Sequence, residues 1–431
     1  MNITVVGAGY VGLVTSSVFA DFGHKVYVVD VDNSKVARLK KGQVPFFEPG
    51  LEEYIKRGLE SQRLKFTTNY AEAVPQSRAV FICVGTPPLE DGSVDLRQLF
   101  LATESVAKHL KGQTVIAVKS TVPIGIEVEL EKIIRQNSKN HFEIVAVPEF
   151  LREGTAIEDT LHPDRIVIGA ANKSGKAVDL ILDLHKHFSG ERIICDLRSA
   201  QLIKYAANSL LATKVSFANA VAQLSEKVDA DAEKVLHGVG LDKRIGRTYL
   251  YAGVGYGGSC LPKDVAAFGD MAAKFGYDFG LLEEVDRINE QQIENFVKKI
   301  REALADSVEG KRIGILGLSF KPNTDDIREA PSLKIIKLLL DQGAEIVAYD
   351  PVAMPNVKRV LAGKIKFAQN ATEVAKDADC LAIVTEWNEF RDLDLAKVKK
   401  SMKTPLIADG RNIYNADKLK ALGFKYFGIG R

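Results

Sequence analysis

The sequence predicts an α/β protein made of two doubly wound parallel sheets joined by a long central helix. Three observations predict it. Short runs rich in β-branched residues alternate with amphipathic stretches at the start of the chain, the rhythm of a parallel sheet covered by helices. From Ser199 to about Val228 there is neither proline nor glycine, and apolar residues recur at helical spacing. At Lys311 the strand–helix rhythm returns with the signals of the first part in the same order.

Taken in order, Ile3–Val6, Lys25–Val29, Ala79–Val84, Thr114–Val118 and Glu143–Val147 read as buried strands. Gly12–Phe22, Ser34–Lys41 and Leu96–Leu110 read as helices between them. After the long helix come helical stretches at Asp231–Val239, Pro262–Phe275 and Leu281–Ala305, interrupted by the dense glycines Gly253, Gly255, Gly257 and Gly258. In the last part, Arg312–Leu316 with Gly317 repeats Ile3–Val6 with Gly7, and Glu345–Tyr349 with Asp350 repeats Lys25–Val29 with Asp30. Asp379–Thr385 likewise repeats Ala79–Gly85. A chain of 431 residues exceeds one core. The expected division is 1–198, a nucleotide-type fold; 199–305, helical; and 306–431, a second nucleotide-type fold.

Composition narrows the function. The chain is 46% hydrophobic and 26% charged with a formal charge of +2, which lacks the basic excess of a nucleic-acid or membrane-surface binder. Cys83, Cys195, Cys260 and Cys380 form no CxxC or Cys/His cluster, so neither a disulfide framework nor a metal site is expected. No secretory signal and no membrane-spanning run is read, which leads to the expectation of a cytoplasmic protein with a small-molecule ligand.

Gly7-Ala8-Gly9-Tyr10-Val11-Gly12 is a GxGxxG that follows a strand and opens a helix, the context of a Rossmann-like dinucleotide site. Asp30 ends the second strand near the offset expected for a carboxylate that accepts from a ribose diol and repels a 2′-phosphate, so the expected cofactor is NAD. Lys35 reads either as an adenosine contact or as a solvated helix lysine. Thr86 and Ser120-Thr121, after later strands, read as site hydroxyls or as turn caps.

Gly255-Tyr256-Gly257-Gly258-Ser259-Cys260-Leu261-Pro262-Lys263-Asp264 is the most informative stretch. Pro262 fits a first helical turn and so places Cys260 at a helix N-terminus, where the dipole and Lys263 favour a thiolate and Asp264 opposes it. A cysteine among glycines and charges reads as a nucleophile, in contrast to Cys83 and Cys380 inside apolar strands. An alcohol dehydrogenase needs no nucleophile to reach an aldehyde. A thiolate that adds to the aldehyde allows a second hydride to leave and a thioester to hydrolyse, so cysteine plus NAD points to oxidation to an acid. Lys204 and Asn208, four apart on the long helix, share a face and could serve an oxyanion or form a polar stripe facing water. Glu149, after the strand ending at Val147, reads as a base or ligand, or as an ordinary loop acid.

These residues resemble the UDP-glucose/GDP-mannose dehydrogenase family over the whole chain and in order. The motifs are GAGYVG at Gly7–Gly12, STVPIG at Ser120–Gly125, PEFLREGTAI at Pro148–Ile157, HPDRIVIG at His162–Gly169, GYGGSCLPKD at Gly255–Asp264, SFKPNTDDIREAPS at Ser319–Ser332, TEWNEF at Thr385–Phe390 and DGRN at Asp409–Asn412. Leu261 stands where bacterial members commonly have phenylalanine. The resemblance implies a four-electron oxidation of UDP-glucose at C6 with NAD, in a homodimer or higher homo-oligomer. It implies Cys260 as thioester-forming nucleophile, Lys204 and Asn208 at the oxyanion, Asp264 with a water and Thr121 in proton transfer, and Glu149 in proton transfer or thioester hydrolysis. For NAD it implies Tyr10, Val11, Asp30, Lys35, Thr86, Thr121, Glu153, Lys263 and Arg328, beside Gly7, Gly9 and Gly12. For the substrate it implies Glu149, Phe150, Leu151, Arg152 and Glu153, together with Lys204 and Asn208. It adds Tyr249, Leu250, Tyr251, Ala252, Gly253, Gly257, Phe320, Lys321 and Arg411, and Arg244 reaching from a neighbouring subunit.

Three rivals make different predictions. A sibling enzyme would act on GDP-mannose or UDP-N-acetylmannosamine, whereas PDRIVIG, TEWNEF and DGRN favour UDP-glucose. A single-hydride hydroxy-acid dehydrogenase would tolerate Cys260→Ala. A silent NAD- or UDP-sugar-binding regulator would bind without turnover, and the intact Cys260, Lys204 and Asp264 count against it.

Overall fold

In the computed structural model, which describes residues Met1–Arg431, the chain forms two units, Met1–Ala207 and Asn208–Arg431. The first is organised by β1 (Asn2–Val6), whose Ile3 and Val5 are fully buried. With β2 (Lys25–Val29), β3 (Leu64–Thr67), β4 (Ala79–Ile82), β5 (Thr114–Val118), β6 (Phe142–Ala146), β7 (Arg165–Ala170) and β8 (Glu191–Cys195) it makes one sheet, ordered β3-β2-β1-β4-β5-β6-β7-β8. The chain order reverses at β1/β4, and such a switch point is where open α/β sheets bind ligands.

Helix α1 (Tyr10–Asp21) is inside rather than on the surface, with Gly12 through Ala20 all buried. Its Phe19 meets Phe81 of β4 and the rings of His185 and Phe188, at centroid distances of 5.4, 5.4 and 6.0 Å. Asp32 caps α2 (Asn33–Leu39) by accepting from Ser34 N and Lys35 N, which starts the helix immediately after the β2 carboxylate. The remaining helices of this unit are α3 (Leu51–Glu60), α4 (Tyr70–Ala73), α5 (Arg97–His109), α6 (Glu127–Asn137), α7 (Ala156–Leu161) and α8 (Lys176–Leu184).

All sheet pairs in this unit are parallel except β6–β7, which overlap only through Val145↔Ala170 and Ala146↔Gly169. The alternation read from the sequence did not indicate this reversal. The link after β6 stays at the sheet's carboxyl edge, with α7 packed on α1, so β7 starts beyond that edge and runs back. β3, β7 and β8 also went unread. β3 is only four residues, and β8 has the pattern of a half-exposed edge strand without a continuous apolar run.

Helix α9 (Leu197–Lys227) runs through the boundary between the units. In the second unit it continues to α10 (Ala232–Gly240), α11 (Leu261–Lys274) and α12 (Gly280–Ala303). Helices α9, α10 and α12 share a core with the second sheet, where Ala218, Ala222 and Leu236 join Ile293, Phe296, Ile313 and Ile315, while Val265 of α11 packs in a separate cluster with Ala212 and Val285. That sheet comprises β9 (Arg312–Leu316), β10 (Glu345–Tyr349), β11 (Lys366–Phe367), β12 (Cys380–Ile383), β13 (Leu406–Asp409) and β14 (Lys425–Gly428). Its order is β11-β10-β9-β12-β13-β14, all parallel. α13 (Pro331–Asp341) packs on α12. The fold class is the one read from the sequence.

Candidate active site

In the first unit each glycine of the loop after β1 has a separate physical reason. Gly7 has φ +100°, and a Cβ there would lie 2.7 Å from the Cys83 carbonyl oxygen. A Cβ on Gly12 would lie 1.9 Å from Gly7 O. Around Gly9 a Cβ would meet nothing within 4 Å, and this residue starts α1 with no side-chain cap, leaving the first-turn N–H groups open to a ligand.

Asp30 is buried rather than solvated. It accepts from Ala8 N at 2.8 Å and Asp32 N at 3.0 Å, and Lys35 Nζ pairs with it at 3.0 Å. Thr86 is also buried and donates to Thr121 O at 2.9 Å, tying two strand-end loops together. Val11 is half-buried in the first turn of α1.

The acid at the end of β6 is no ordinary loop acid. Glu149 and Lys204 are both buried, and Lys204 Nζ lies 2.9 Å from Glu149 Oε1 and 2.6 Å from Glu149 O. Leu151 N donates to the second carboxylate oxygen at 2.6 Å. Burial alone would raise this carboxyl, but the Lys204 amine, the Leu151 N–H and the Lys119 amine outweigh it and hold it below the usual range. Lys204 therefore does not face water. A cavity of about 10 Å³, about what one water needs, is lined by Ser120, Thr121, Pro148, Gln201, Lys204 and Tyr205. Phe150 lies under two cations, Arg165 at 3.9 Å and Lys204 at 5.4 Å from its ring centroid. Arg152 is exposed and paired to Asp159, and Leu151 and Glu153 are half-buried.

In the second unit the glycine run is a tightly fixed path to Cys260. Gly253 N donates to Asn219 Oδ1 and Gly253 O accepts from Gln292, both at 2.9 Å. Asn289 brackets Tyr256, accepting from its N–H at 2.8 Å and donating to its carbonyl at 3.1 Å. Arg411 donates to Gly255 O at 3.0 Å and Val384 O at 2.7 Å. Side chains at Gly257 and Gly258 are excluded, because a Cβ would come within 2.2 Å of Glu329 O and 2.7 Å of the Phe320 ring respectively. Lys321 lies over that same ring at 5.5 Å.

Cys260 occupies the N-cap position of α11 without a side-chain capping bond, with Pro262 in the first turn, and is half-buried, its Sγ 3.6 Å from Ser259 Oγ. It is neither sealed nor fully exposed. Cys83 and Cys380 are sealed, and burial pushes both thiols up to about 12. One turn into α11, Asp264 is 1% exposed, which only its two donors make tolerable, Lys263 Nζ at 2.6 Å and Asn208 Nδ2 at 2.6 Å. Lys263 is thus engaged by Asp264 and is not a free charge beside the sulfur.

The other positions assigned to ligands in this unit differ in exposure. Leu250 and Ala252 are buried, and Tyr249 holds φ +65°. Tyr251 is exposed under the Arg247 guanidinium at 4.5 Å. Arg244 and Arg328 are exposed and paired with Asp242 and Asp326. The counterpart of Asp30 in the second fold, Asp350, is fully buried and consumed by its own chain. It accepts from Leu318 N, Ser319 N, Ala353 N and Trp387 Nε1, leaving no oxygen for a ribose.

Sequence reasoning missed Glu48, Asn219, Asn289 and Gln292. Asn289 and Gln292 had a legible signal, since they are polar residues at core positions of α12, in register with Val285, Ile293 and Phe296.

Three family models match in sequence order. The NAD binding domain of the UDP-glucose/GDP-mannose dehydrogenase family matches residues 1–189, its central domain 198–291 and its UDP binding domain 314–416. UDP-glucose 6-dehydrogenase TuaD of Bacillus subtilis (strain 168) is 44% identical over 432 residues, covering 100% of this chain and 93% of the relative. The chain belongs to the UDP-glucose/GDP-mannose dehydrogenase family. The UDP-glucose 6-dehydrogenase of Rhizobium meliloti (strain 1021) is also 44% identical, over 436 residues and 100% of both chains. A UDP-glucose dehydrogenase structure from the archaeon Pyrobaculum islandicum superposes with TM-score 0.93 at 38% identity, covering 100% of this chain and 97% of that one. A UDP-D-ManNAc dehydrogenase structure from Pyrococcus horikoshii gives 0.87 at 27%, covering 100% and 99%.

The first unit carries the family's NAD-binding domain, and its residues fit that cofactor. The open backbone at Gly9 accommodates a pyrophosphate and the carboxylate of Asp30 stands at the end of β2, while the second fold's counterpart acid is closed. The chain is an oxidoreductase with an NAD cofactor and a UDP-binding domain, and no helix is long and apolar enough to cross a membrane.

Proposed function

We propose that this chain oxidises the C6 alcohol of UDP-glucose to the carboxylate of UDP-glucuronate through a thioester on Cys260. The observation that carries the reading is the half-buried Cys260 thiol at the end of a glycine path closed to side chains, one turn from the buried Asp264–Asn208–Lys263 cluster. Full-length relatives at 44% identity named UDP-glucose 6-dehydrogenase support the choice of sugar. NAD, when bound, supplies the hydride acceptor, twice per turnover. The alcohol loses a hydride and a proton to give the aldehyde, and the Cys260 sulfur adds to its carbon as a thiohemiacetal. Loss of a second hydride and proton leaves the thioester. Water then cleaves the C–S bond, returning the thiol and releasing the acid. One alcohol and one water thus yield one carboxylate, two hydrides and three protons.

Asn208 and Lys204 donate to the oxygen that gains charge, and Asp264 with Thr121 and a water moves protons. Glu149, held ionised beside Lys204, serves proton transfer or thioester hydrolysis. Residues 149–153, 249–253, Gly257, Phe320, Lys321 and Arg411 line the UDP-sugar, with Arg244 supplied by a neighbouring copy. The cofactor set is the glycine loop with Tyr10, Val11, Asp30, Lys35, Thr86, Thr121, Glu153, Lys263 and Arg328. The division of labour is 1–198 for NAD, 199–305 for assembly and 306–431 for the UDP-sugar. A second copy covers the exposed Leu210, Phe217 and Leu224, which recur every seven residues along α9, in a homodimer or larger oligomer. Four free thiols suit a reducing cytoplasm. Initial rates with UDP-glucose, GDP-mannose and UDP-N-acetylmannosamine test the reading. UDP-glucose is expected to be preferred, and preference for either other sugar overturns it.

A further inference from the structure

Among the buried carboxylates that the mechanism leaves unused, Glu48 lies in the first unit, in the loop between α2 and α3. It is 6% exposed, and it joins segments far apart in sequence. Its Oε2 accepts from the Tyr10 hydroxyl in a short hydrogen bond and from Gly154 N at 2.5 Å, and its Oε1 accepts from Ala156 N at 2.7 Å. The Tyr10 hydroxyl in turn lies 3.1 Å from Gly154 N and 3.5 Å from Arg152 O, and the Phe46 ring packs against the tyrosine at 5.1 Å. Tyr10 is the first residue of α1 and belongs to the glycine loop, while Arg152–Ala156 continues the loop that carries Glu149. A carboxylate accepting three donors is fixed as firmly as a buried charge can be.

We propose that Glu48 is a positioning residue that couples the cofactor loop to the substrate loop, with Tyr10 as the connecting lever. The inference rests on the functional reading above, in which both loops hold ligands. A dinucleotide settling on Gly7–Gly12 fixes the start of α1 and with it the Tyr10 ring. Through Glu48 the same event fixes Gly154 and Ala156, and so orders residues 149–153 for the sugar. A neutral amide cannot substitute, because its NH2 would face one of the three donors and release it. Burial pushes the Tyr10 hydroxyl far above its ordinary range, and the Glu48 bond adds to this, so the tyrosine remains a donor throughout the working pH range.

Tyr10→Phe and Glu48→Gln test this in the full-length protein by hydrogen exchange of the peptide spanning 151–157, with and without NADH. NADH binding is followed separately by its fluorescence. In the wild type, NADH is expected to slow exchange of that peptide about ten-fold, the scale of one hydrogen bond gained. In each variant, at an NADH concentration that saturates it by fluorescence, the slowing is lost, and KM for UDP-glucose rises while thermal stability of Tyr10→Phe stays close to wild type. The overturning result is wild-type protection by NADH in both variants with unchanged KM, whatever their thermal stability. Should Glu48→Gln fail to fold, Tyr10→Phe decides alone, since it removes one oxygen from a half-buried ring. The exchange readout needs no sugar, so a failure of the UDP-glucose reading would appear as absent turnover with the NADH response intact.

Discussion

The buried Glu149–Lys204 pair gives a quantitative handle on the first unit. At 2.9 Å and an effective dielectric of about 20, the attraction is about 6 kcal/mol. Most of that offsets the cost of taking both charges out of water, so the intact pair contributes little net stability. Removing one partner is a different matter. Lys204→Met leaves a buried carboxylate with the Leu151 N–H and the Lys119 amine as remaining support, and is expected to cost about 3–5 kcal/mol. Glu149→Gln is milder, because Lys204 Nζ keeps the Glu149 carbonyl at 2.6 Å. The double variant should fall short of the sum of the singles by about 2–3 kcal/mol. Hydrogen exchange of β5 and β6 peptides reads this locally, which suits a chain whose two units need not unfold together. The sign with pH follows from the depressed carboxyl. Its contribution is full above the unfolded carboxylate value of about 4.3 and is lost as pH falls through the lower folded value. Additive single variants, or a Lys204→Met cost below about 1 kcal/mol, would refute the reasoning.

Gly12→Ala puts a Cβ 1.9 Å from Gly7 O, so it must reshape the cofactor loop. NADH affinity measured by fluorescence is expected to fall by at least about a hundred-fold, and an unchanged affinity would contradict the role of the turn. His185 is sealed among Phe19 and Phe188, and burial, followed by the Lys119 charge, lowers it to about 3. Below pH 6.5 the unfolded chain binds a proton the folded one refuses, so stability falls by about 1.4 kcal/mol per unit until about pH 3. Urea unfolding at pH 7, 6 and 5 checks this, and His185→Phe should flatten the slope.

The strands that carry the chemistry were legible because they are buried on both faces and therefore continuous in β-branched residues. β1, β2, β5, β9 and β10 lie at or within one residue of their sequence-derived limits. The edge strands β3, β8 and β11 were not, since half-exposed or very short strands lose that signal, and the interior β7 and β13 went unread although they are buried. At the site, the glycines and Cys260 stood out because turn geometry and nucleophile placement are local properties. What periodicity left open was whether Lys204, Asn208 and Glu149 face water, because burial of a polar side chain depends on partners distant in sequence. Lys204 meets Glu149 from 55 residues away, and Asn208 meets Asp264 from 56. Glu48 was invisible for the same reason, its donors being at positions 10, 154 and 156.

The covalent route through Cys260 is tested most directly by counting NADH formed per UDP-glucose consumed, with the product weighed by mass spectrometry. Two NADH and UDP-glucuronate are expected from the wild type. For Cys260→Ser, whose hydroxyl is a poor nucleophile at neutral pH, no full turnover to the acid is expected. One NADH with an aldehyde product from the wild type, or two NADH and the free acid from Cys260→Ser at an undiminished rate, would contradict the account.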